Sequence, residues 1–213
     1  GTTTLISMVP VKYRNFMDRL TKRIFDILFS SVVIVLVLSW LIPIIALLIK
    51  LSSKGPVFFV QKRSGVLNRP FGCLKFRSMR VNVASDKVQA SKGDPRITRV
   101  GAFLRKTNLD ELPQFLNVFI GDMSVVGPRP HMLAHTDQYS ALIDPYMERL
   151  WLKPGITGLA QAHGFRGETK ELVLMQRRVE EDRLYVYNWS LLLDIRIILI
   201  TIWNMVTMQK QGY

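Results

Sequence analysis

Residues 27–49 form a run of 23 positions without a charge, dominated by Ile, Leu and Val. At about 1.5 Å per residue a helix of that length reaches across a bilayer core. It is too long for a signal-peptide core and lacks a small-residue cleavage site. Two features speak against a simple span. Basic residues flank both ends, Lys12, Arg14, Arg19, Lys22 and Arg23 before it and Lys50, Lys54, Lys62 and Arg63 after it, and the positive-inside rule asks for both ends on one side. Pro43 also lies within the run, where it removes a helix hydrogen bond and disfavours helical geometry at Ile42. The pattern therefore predicts a re-entrant helix broken at Pro43, with Ser39 placed to satisfy freed carbonyls. A Pro-kinked spanning helix is the alternative.

After the run the period changes. Residues 57–61 and 72–78, separated by a turn containing Gly65 and Asn68, read as a β-hairpin. Leu74 and Phe76 would share one face and Lys75 and Arg77 the other. Residues 81–95 read as a polar loop. Helical spacing over 96–106 is followed by Thr107 or Asn108 as cap of a new helix whose first turn holds Asp110 and Glu111 near Pro113. Acidic residues at that position are also ordinary helix chemistry. Gly127-Pro128-Arg129-Pro130 and Lys153-Pro154-Gly155 are stiff loops, and 168–188 is helical. Residues 191–208 form a second apolar stretch interrupted by Asp194, Arg196 and Asn204. It is too short to span, and reads as a core helix or as an amphipathic helix at the interface.

Composition adds a class and a direction. With 213 residues and 48% hydrophobic positions the chain can bury a core, which excludes a disordered or fibrous protein. The net charge of +13 is concentrated: residues 50–106 hold 14 basic and 2 acidic side chains. Such a block faces an anion, whether nucleic acid, a membrane surface or a phosphorylated substrate. The single Cys73 allows no internal disulfide and reads as a small buried residue in a cytoplasmic setting. His131 and His135 have i, i+4 spacing but no accompanying ligands, so they read as packing residues and not a zinc site. No phosphate-binding glycine loop and no Ser or Cys nucleophile motif is present.

The pieces together resemble the bacterial sugar transferases, the monotopic polyprenyl-phosphate phosphoglycosyl transferases. The resemblance runs in order through "KRIFDI" at 22–27, the proline-interrupted segment, "GPVFFVQKRSG" at 55–65, "KFRSM" at 75–79, "DPRITRVGAFLRKTNLDELPQ" at 94–114, "NVFIGDMSVVGPRP" at 117–130, "KPGITGLAQ" at 153–161 and the spaced Asp, Tyr, Val, Asn and Ser from Asp182 to Asp194. One departure is Ile42, where many members have Ser before the breaking proline.

The resemblance implies an α+β architecture. A re-entrant membrane unit over 1–54 joins a mainly helical catalytic domain over 55–213, which carries a short β-hairpin and an interfacial C-terminal helix and sits on the cytoplasmic face of the bacterial inner membrane. It implies transfer of sugar 1-phosphate from a UDP-sugar to undecaprenyl phosphate, with UMP released, in exopolysaccharide or other surface-glycan assembly. Asp110 would be the nucleophile, forming a covalent phosphosugar intermediate, and Glu111 a ligand of Mg²⁺ alongside Asp110. Lys75, Arg77, Arg105, Arg129 and Asp182 match positions expected to bind substrate or phosphate, with Arg96, Arg99 and Lys153 able to share that role or to form structural salt bridges. "HGFRGETKE" at 163–171 resembles members that use glucose, so UDP-glucose is the expected donor and UDP-galactose or another UDP-sugar the alternative. Some members carry further N-terminal spanning helices, so the chain reads equally as complete or as a catalytic fragment. A homo-oligomer is compatible with all of this. The rival from another class, a membrane-tethered nucleic-acid-binding module resting on the basic block and on Phe58, Phe59, Phe71 and Phe76, leaves the Asp-Glu-Leu-Pro-Gln run without a purpose.

Overall fold

Helix α1 (Phe16–Val33) is built inside-out. Its buried face is the polar stripe Lys22, Asp26 and Ser30 at four-residue spacing, while Leu20, Ile24 and Leu28, also four apart, are exposed. In water an amphipathic helix buries its apolar face; this one keeps its polar face for the protein. Asn15 caps the start through its side-chain oxygen, which accepts from Met17 N (3.1 Å). The computed structural model describes residues 15–81, 94–165 and 171–207. The flanking Lys12 and Arg14, most of the loop expected over 81–95, the middle of "HGFRGETKE" and the last residues of the apolar C-terminal stretch lie outside the described residues.

The expected break at Pro43 is corrected. The helix continues from Phe16 to Ser52, and its irregularity is a π-turn at Ile34–Leu38 placed before α2 (Ser39–Ser52), which contains Pro43. A proline inside a helix frees the carbonyl four residues earlier and crowds it, and a wider turn is one local adjustment that absorbs the change without ending the helix. Ser39 does satisfy a carbonyl, but that of Val35 in the π-turn (2.6 Å), and Trp40 Nε1 donates to Leu36 O (2.8 Å).

Both ends of this rod are fastened to the same domain. At the start, Lys22 Nζ donates to Asp194 Oδ2 (2.7 Å), Val126 O (3.0 Å) and Tyr185 Oη (3.1 Å), while Asp26 Oδ1 accepts from Ser124 Oγ and Val125 N, both at 2.9 Å. At the far end Arg77 donates to the carbonyls of Ser53 and Lys54, just past the helix C-terminus.

The domain starts with the predicted hairpin, β1 (Phe58–Ser64) and β2 (Pro70–Phe76), antiparallel with Phe59 opposite Lys75. Its two faces enter different cores. Cys73 packs with Phe115, Val118 and Leu152, and Phe76 packs with Ile45, Ile49 and Leu104. Helix α3 (Arg99–Lys106) is capped by Thr98, whose Oγ1 accepts from Gly101 N (2.9 Å). It lies so close to the end of the hairpin that a Cβ on Gly101 would overlap the Ser78 carbonyl. Helix α4 (Gln114–Ile120) is pinned to β2 by Asn117, which accepts from Leu74 N (2.9 Å) and donates to Gly72 O (2.8 Å).

The sequence pattern gave no sign of the second sheet, β3 (Ser124–Val126) parallel to β4 (Gly155–Thr157), which brings the two proline-glycine loops together. Between them come α5 (Leu133–Ser140) and a 3₁₀ segment, Asp144–Trp151. The chain continues through α6 (Leu159–Ala162), α7 (Leu172–Asn188) and α8 (Leu191–Val206). Helix α8 is a core helix along one face. Asp194 and Ile197 are in the core, while Leu192, Ile195, Leu199, Ile202 and Val206 leave an apolar face exposed.

Candidate active site

Asp110 and Glu111 are not in the first turn of a helix, as the capping pattern predicts. They form a separate 3₁₀ turn, Leu109–Glu111, entered through Asn108 at φ 56. Pro113 and not Asn108 precedes α4, because a proline is favourable only at a helix start. The tight turn holds both carboxylates at the end of α3, facing β2.

Glu111 is the hub. Lys75 Nζ donates to its Oε1 at 2.7 Å, and Arg129 donates to Oε1 through Nη2 at 3.0 Å and, more weakly, to Oε2 through Nη1 at 3.4 Å. Burial pushes the Glu111 carboxyl up, but Arg129 and then Lys75, by charge and by hydrogen bond, outweigh it and hold the group well below the usual carboxylate range. Among the described residues, Asp110 makes no such bonds. Burial pushes its pKa up to about 6, with Lys75 pulling it down and the charge of Glu111 pushing it further up; Arg105 and Arg129 also lower it. Neighbouring carboxylates in different surroundings thus diverge, one fixed as an anion by its cations and one left as a more basic carboxylate, a pattern concentrated at sites of chemistry.

Lys75, Arg105 and Arg129 are brought together around this pair. Their three positive charges exceed the two carboxylates by one, so an anion entering the site meets a net cation. Arg129 is itself positioned. Its carbonyl accepts from Arg149 Nη2 (2.6 Å), and the next carbonyl, Pro130 O, accepts from Arg63 Nη1 (3.0 Å). The sequence reading did not single out Arg149, Arg63 or Asn117 as supports of the site; their partners are distant in sequence, and no spacing announces them.

Two expected members are elsewhere. Arg77, expected beside Lys75 on the strand face, follows the last paired strand residue and is drawn to the carbonyls just past the end of α2. The Asp182 carboxylate is 1% exposed and takes both Nε (2.9 Å) and Nη2 (2.7 Å) of Arg149; a phosphate has no access to it. Arg96 engages Asp94 (2.6 Å). Lys153 is not at the pair but at the far end of α4, near Gly121.

The donors suit magnesium. Asp110 and Glu111 offer hard carboxylate oxygens, of which Glu111 Oε2 has only the 3.4 Å contact, and Mg²⁺ commonly takes one or two carboxylates, with substrate phosphates and water completing its shell. Among the described residues no three His, Cys, Asp or Glu side chains gather into a metal cage.

Comparison with known proteins gives the site its context. The profile described as bacterial sugar transferase matches residues 17–208. A Klebsiella pneumoniae protein named UDP-glucose:undecaprenyl-phosphate glucose-1-phosphate transferase is 52% identical over 191 residues, covering 89% of this chain and 41% of its own. The exopolysaccharide production protein PSS of Rhizobium leguminosarum is 48% identical over 199 residues, covering 91% of this chain and 99% of its own. A UDP-N-acetylgalactosamine-undecaprenyl-phosphate N-acetylgalactosaminephosphotransferase of Aeromonas hydrophila is 44% identical over 188 residues, covering 87% and 44%. The chain thus spans about two fifths of the first of these relatives and nearly all of the second.

Proposed function

The chain belongs to the bacterial sugar transferase family, and from that premise we propose that it transfers a sugar 1-phosphate from a UDP-sugar to undecaprenyl phosphate, with UDP-glucose as donor, in exopolysaccharide assembly. The observation that carries this reading is the Asp110–Glu111 turn, in which one carboxylate is neutralised by cations and the other is held basic among them.

In the first step the Asp110 carboxylate attacks the β-phosphorus of the UDP-sugar. The bond from that phosphorus to the bridging oxygen breaks and UMP leaves with the electron pair, so the sugar phosphate is held as an acyl phosphate on Asp110. In the second step a phosphate oxygen of undecaprenyl phosphate attacks the same phosphorus, and Asp110 departs as a carboxylate. A carboxyl of pKa about 6 is mostly ionised at neutral pH and is more basic than an ordinary aspartate, which favours attack. Lys75, Arg105 and Arg129 bind the phosphoryl oxygens and offset the charge gathered when an anionic nucleophile meets two anionic substrates. Glu111 keeps Lys75 and Arg129 aimed. Glu111 and Asp110 are the residues that would hold a magnesium ion, which would supply further charge neutralisation.

Purified protein given UDP-glucose, undecaprenyl phosphate and Mg²⁺ should release UMP. EDTA should lower the rate by on the order of 100-fold or more, as expected when a cation shares transition-state charge, with Mg²⁺ restoring it. A panel of UDP-sugars that yields no UMP from any donor would sink the reading. A preference for UDP-galactose or UDP-N-acetylgalactosamine would reassign the donor alone.

The membrane arrangement we infer is monotopic, with both ends of the apolar helix on the cytoplasmic side. Lys22 and Arg23 at one end and Ser53 and Lys54 at the other are hydrogen-bonded to one polar domain. A span across ~30 Å of hydrocarbon would put that domain's charged groups inside the bilayer. The exposed apolar face of α8 and exposed Phe103, Phe119 and Ile120 are suited to resting in the interface. Cysteines placed at Asn15 and Lys54 should both react with an impermeant maleimide from the same side; Cys73 is buried and will not compete. Labelling from opposite sides would restore the spanning helix.

A further inference from the structure

A basic cleft lies at the opposite end of α4 from Asp110, beside Gly121 and the first turns of α1. It has a volume of about 300 Å³ and is lined by Arg19, Arg23 and Lys153, by the indole of Trp151 and by Val66 of the hairpin tip. It is a cleft open to solvent, and its size suits a phosphodiester with its adjoining carbons. Lys22 and Asp26 complete the wall, but both are already engaged, with Asp194 and with Ser124 and Val125.

The three other cations are not matched in this way. Among the described residues, neither Arg19 nor Lys153 has a carboxylate within ion-pair distance, and Arg23 spends its guanidinium on the neutral carbonyls of Val118 and Phe119 (both 2.7 Å). A Cβ placed on Gly121 would stand 3.4 Å from Arg23 Nη2 and 3.5 Å from Lys153 Nζ. Two like charges are therefore held within roughly 7 Å of each other, an arrangement whose repulsion an added anion would relieve. Lys153 registers this strain: burial lowers its pKa, and the charge of Arg23 lowers it further against the opposing pull of Asp26 and Asp122.

The position of the cavity selects the anion. On α1, Arg19 and Arg23 each precede by one residue the exposed Leu20 and Ile24, and Leu28 continues that stripe into the charge-free run. The cations therefore flank an apolar track at the depth where hydrocarbon gives way to headgroups, and a tryptophan beside them is a side chain suited to that depth. We propose that this cavity binds the phosphodiester headgroup of an anionic phospholipid, with Arg19, Arg23 and Lys153 around the phosphate and an acyl chain along Leu20, Ile24 and Leu28. The proposal rests on the membrane placement of the apolar helix and not on the transfer chemistry, and its readout is thermal, so it stands or falls apart from catalysis.

The intact chain in a non-ionic detergent is titrated with phosphatidylglycerol, phosphatidylcholine or inorganic phosphate while its melting temperature is followed. A ligand at about a hundred times its Kd raises the melting temperature of a chain this size by roughly 5–10 °C. That rise is expected with phosphatidylglycerol alone, and the Arg19→Gln/Lys153→Gln variant should lose it while Arg19→Lys/Lys153→Arg keeps it. If the double Gln variant does not fold, Arg19→Gln alone, at an exposed position, should at least halve the rise. An undiminished rise in the Gln variants overturns the proposal, as does an equal rise with phosphatidylcholine. A rise reproduced by inorganic phosphate overturns the lipid assignment in favour of a soluble anion.

Discussion

Asp110→Asn should abolish UMP release, by at least about 10³-fold, and leave a protein at least as stable as the original. The first half follows from the role. An amide has no anionic oxygen with which to form the acyl phosphate, and removing a covalent nucleophile typically costs several orders of magnitude. The second half follows from the carboxyl's surroundings. Its folded pKa of about 6 lies above its unfolded value near 4, so between those limits the folded state holds the proton more tightly than the unfolded chain does. Stability is therefore lost as pH rises from about 4 to 6, and above that window the ionised carboxylate is a standing cost of roughly 2–3 kcal/mol, which the amide does not bear. Melting curves in EDTA should show the original weakening relative to the Asn variant across that window and running parallel to it above. If Asp110→Asn retains turnover, Asp110 is not the nucleophile; if the variant is dead but unfolded, the loss says nothing of chemistry, and the melting curve separates the two cases.

How far the sequence led depends on the range over which each feature is determined. The hairpin was legible because its alternation and its Gly-containing turn are local, and β1 and β2 fall within a few residues of the predicted strands. The charge-free run announced the rod. Its internal geometry was not legible, since Pro43 identifies a weak point in a helix but not the π-turn that absorbs it five residues earlier. Asp110 and Glu111 were found only through the family resemblance; the capping pattern around them is common, and it misled about the turn that carries them. Lys22 shows the limit most plainly. A lysine before an apolar run reads as a solvated flank, yet it is 2% exposed and its carboxylate partner is 172 residues away. Nothing in a window around either residue encodes that pairing. Arg149, in a short 3₁₀ segment without periodicity, supports Arg129 through a backbone carbonyl, a role invisible to any reading of side-chain types.

Asp182 is where the resemblance and the geometry part most sharply, and its substitution should distinguish them. A residue that grips substrate at an open site can be truncated at little cost to folding, and its loss appears in KM or kcat. The Asp182 carboxylate is instead sealed against Arg149, both within 1% of full burial, and joined by two hydrogen bonds of 2.9 and 2.7 Å. Removing one member of such a pair strands a charge without water or counter-ion, typically at a cost of about 3–5 kcal/mol. Asp182→Ala should accordingly lower the melting temperature by on the order of 10 °C. Asp182→Leu combined with Arg149→Met, which removes both members of the pair together, should recover part of that stability, with buried Arg178 still losing the Asp182 charge, but not activity, because Arg149 also holds the backbone of Arg129 through its carbonyl (2.6 Å). The double variant is then expected to fold and to bind the UDP-sugar poorly, since Arg129 is free to leave Glu111 and the incoming phosphates. Full activity in the folded double variant would mean that Arg129 needs no such support, and an Asp182→Ala variant of unchanged stability would return Asp182 to the substrate.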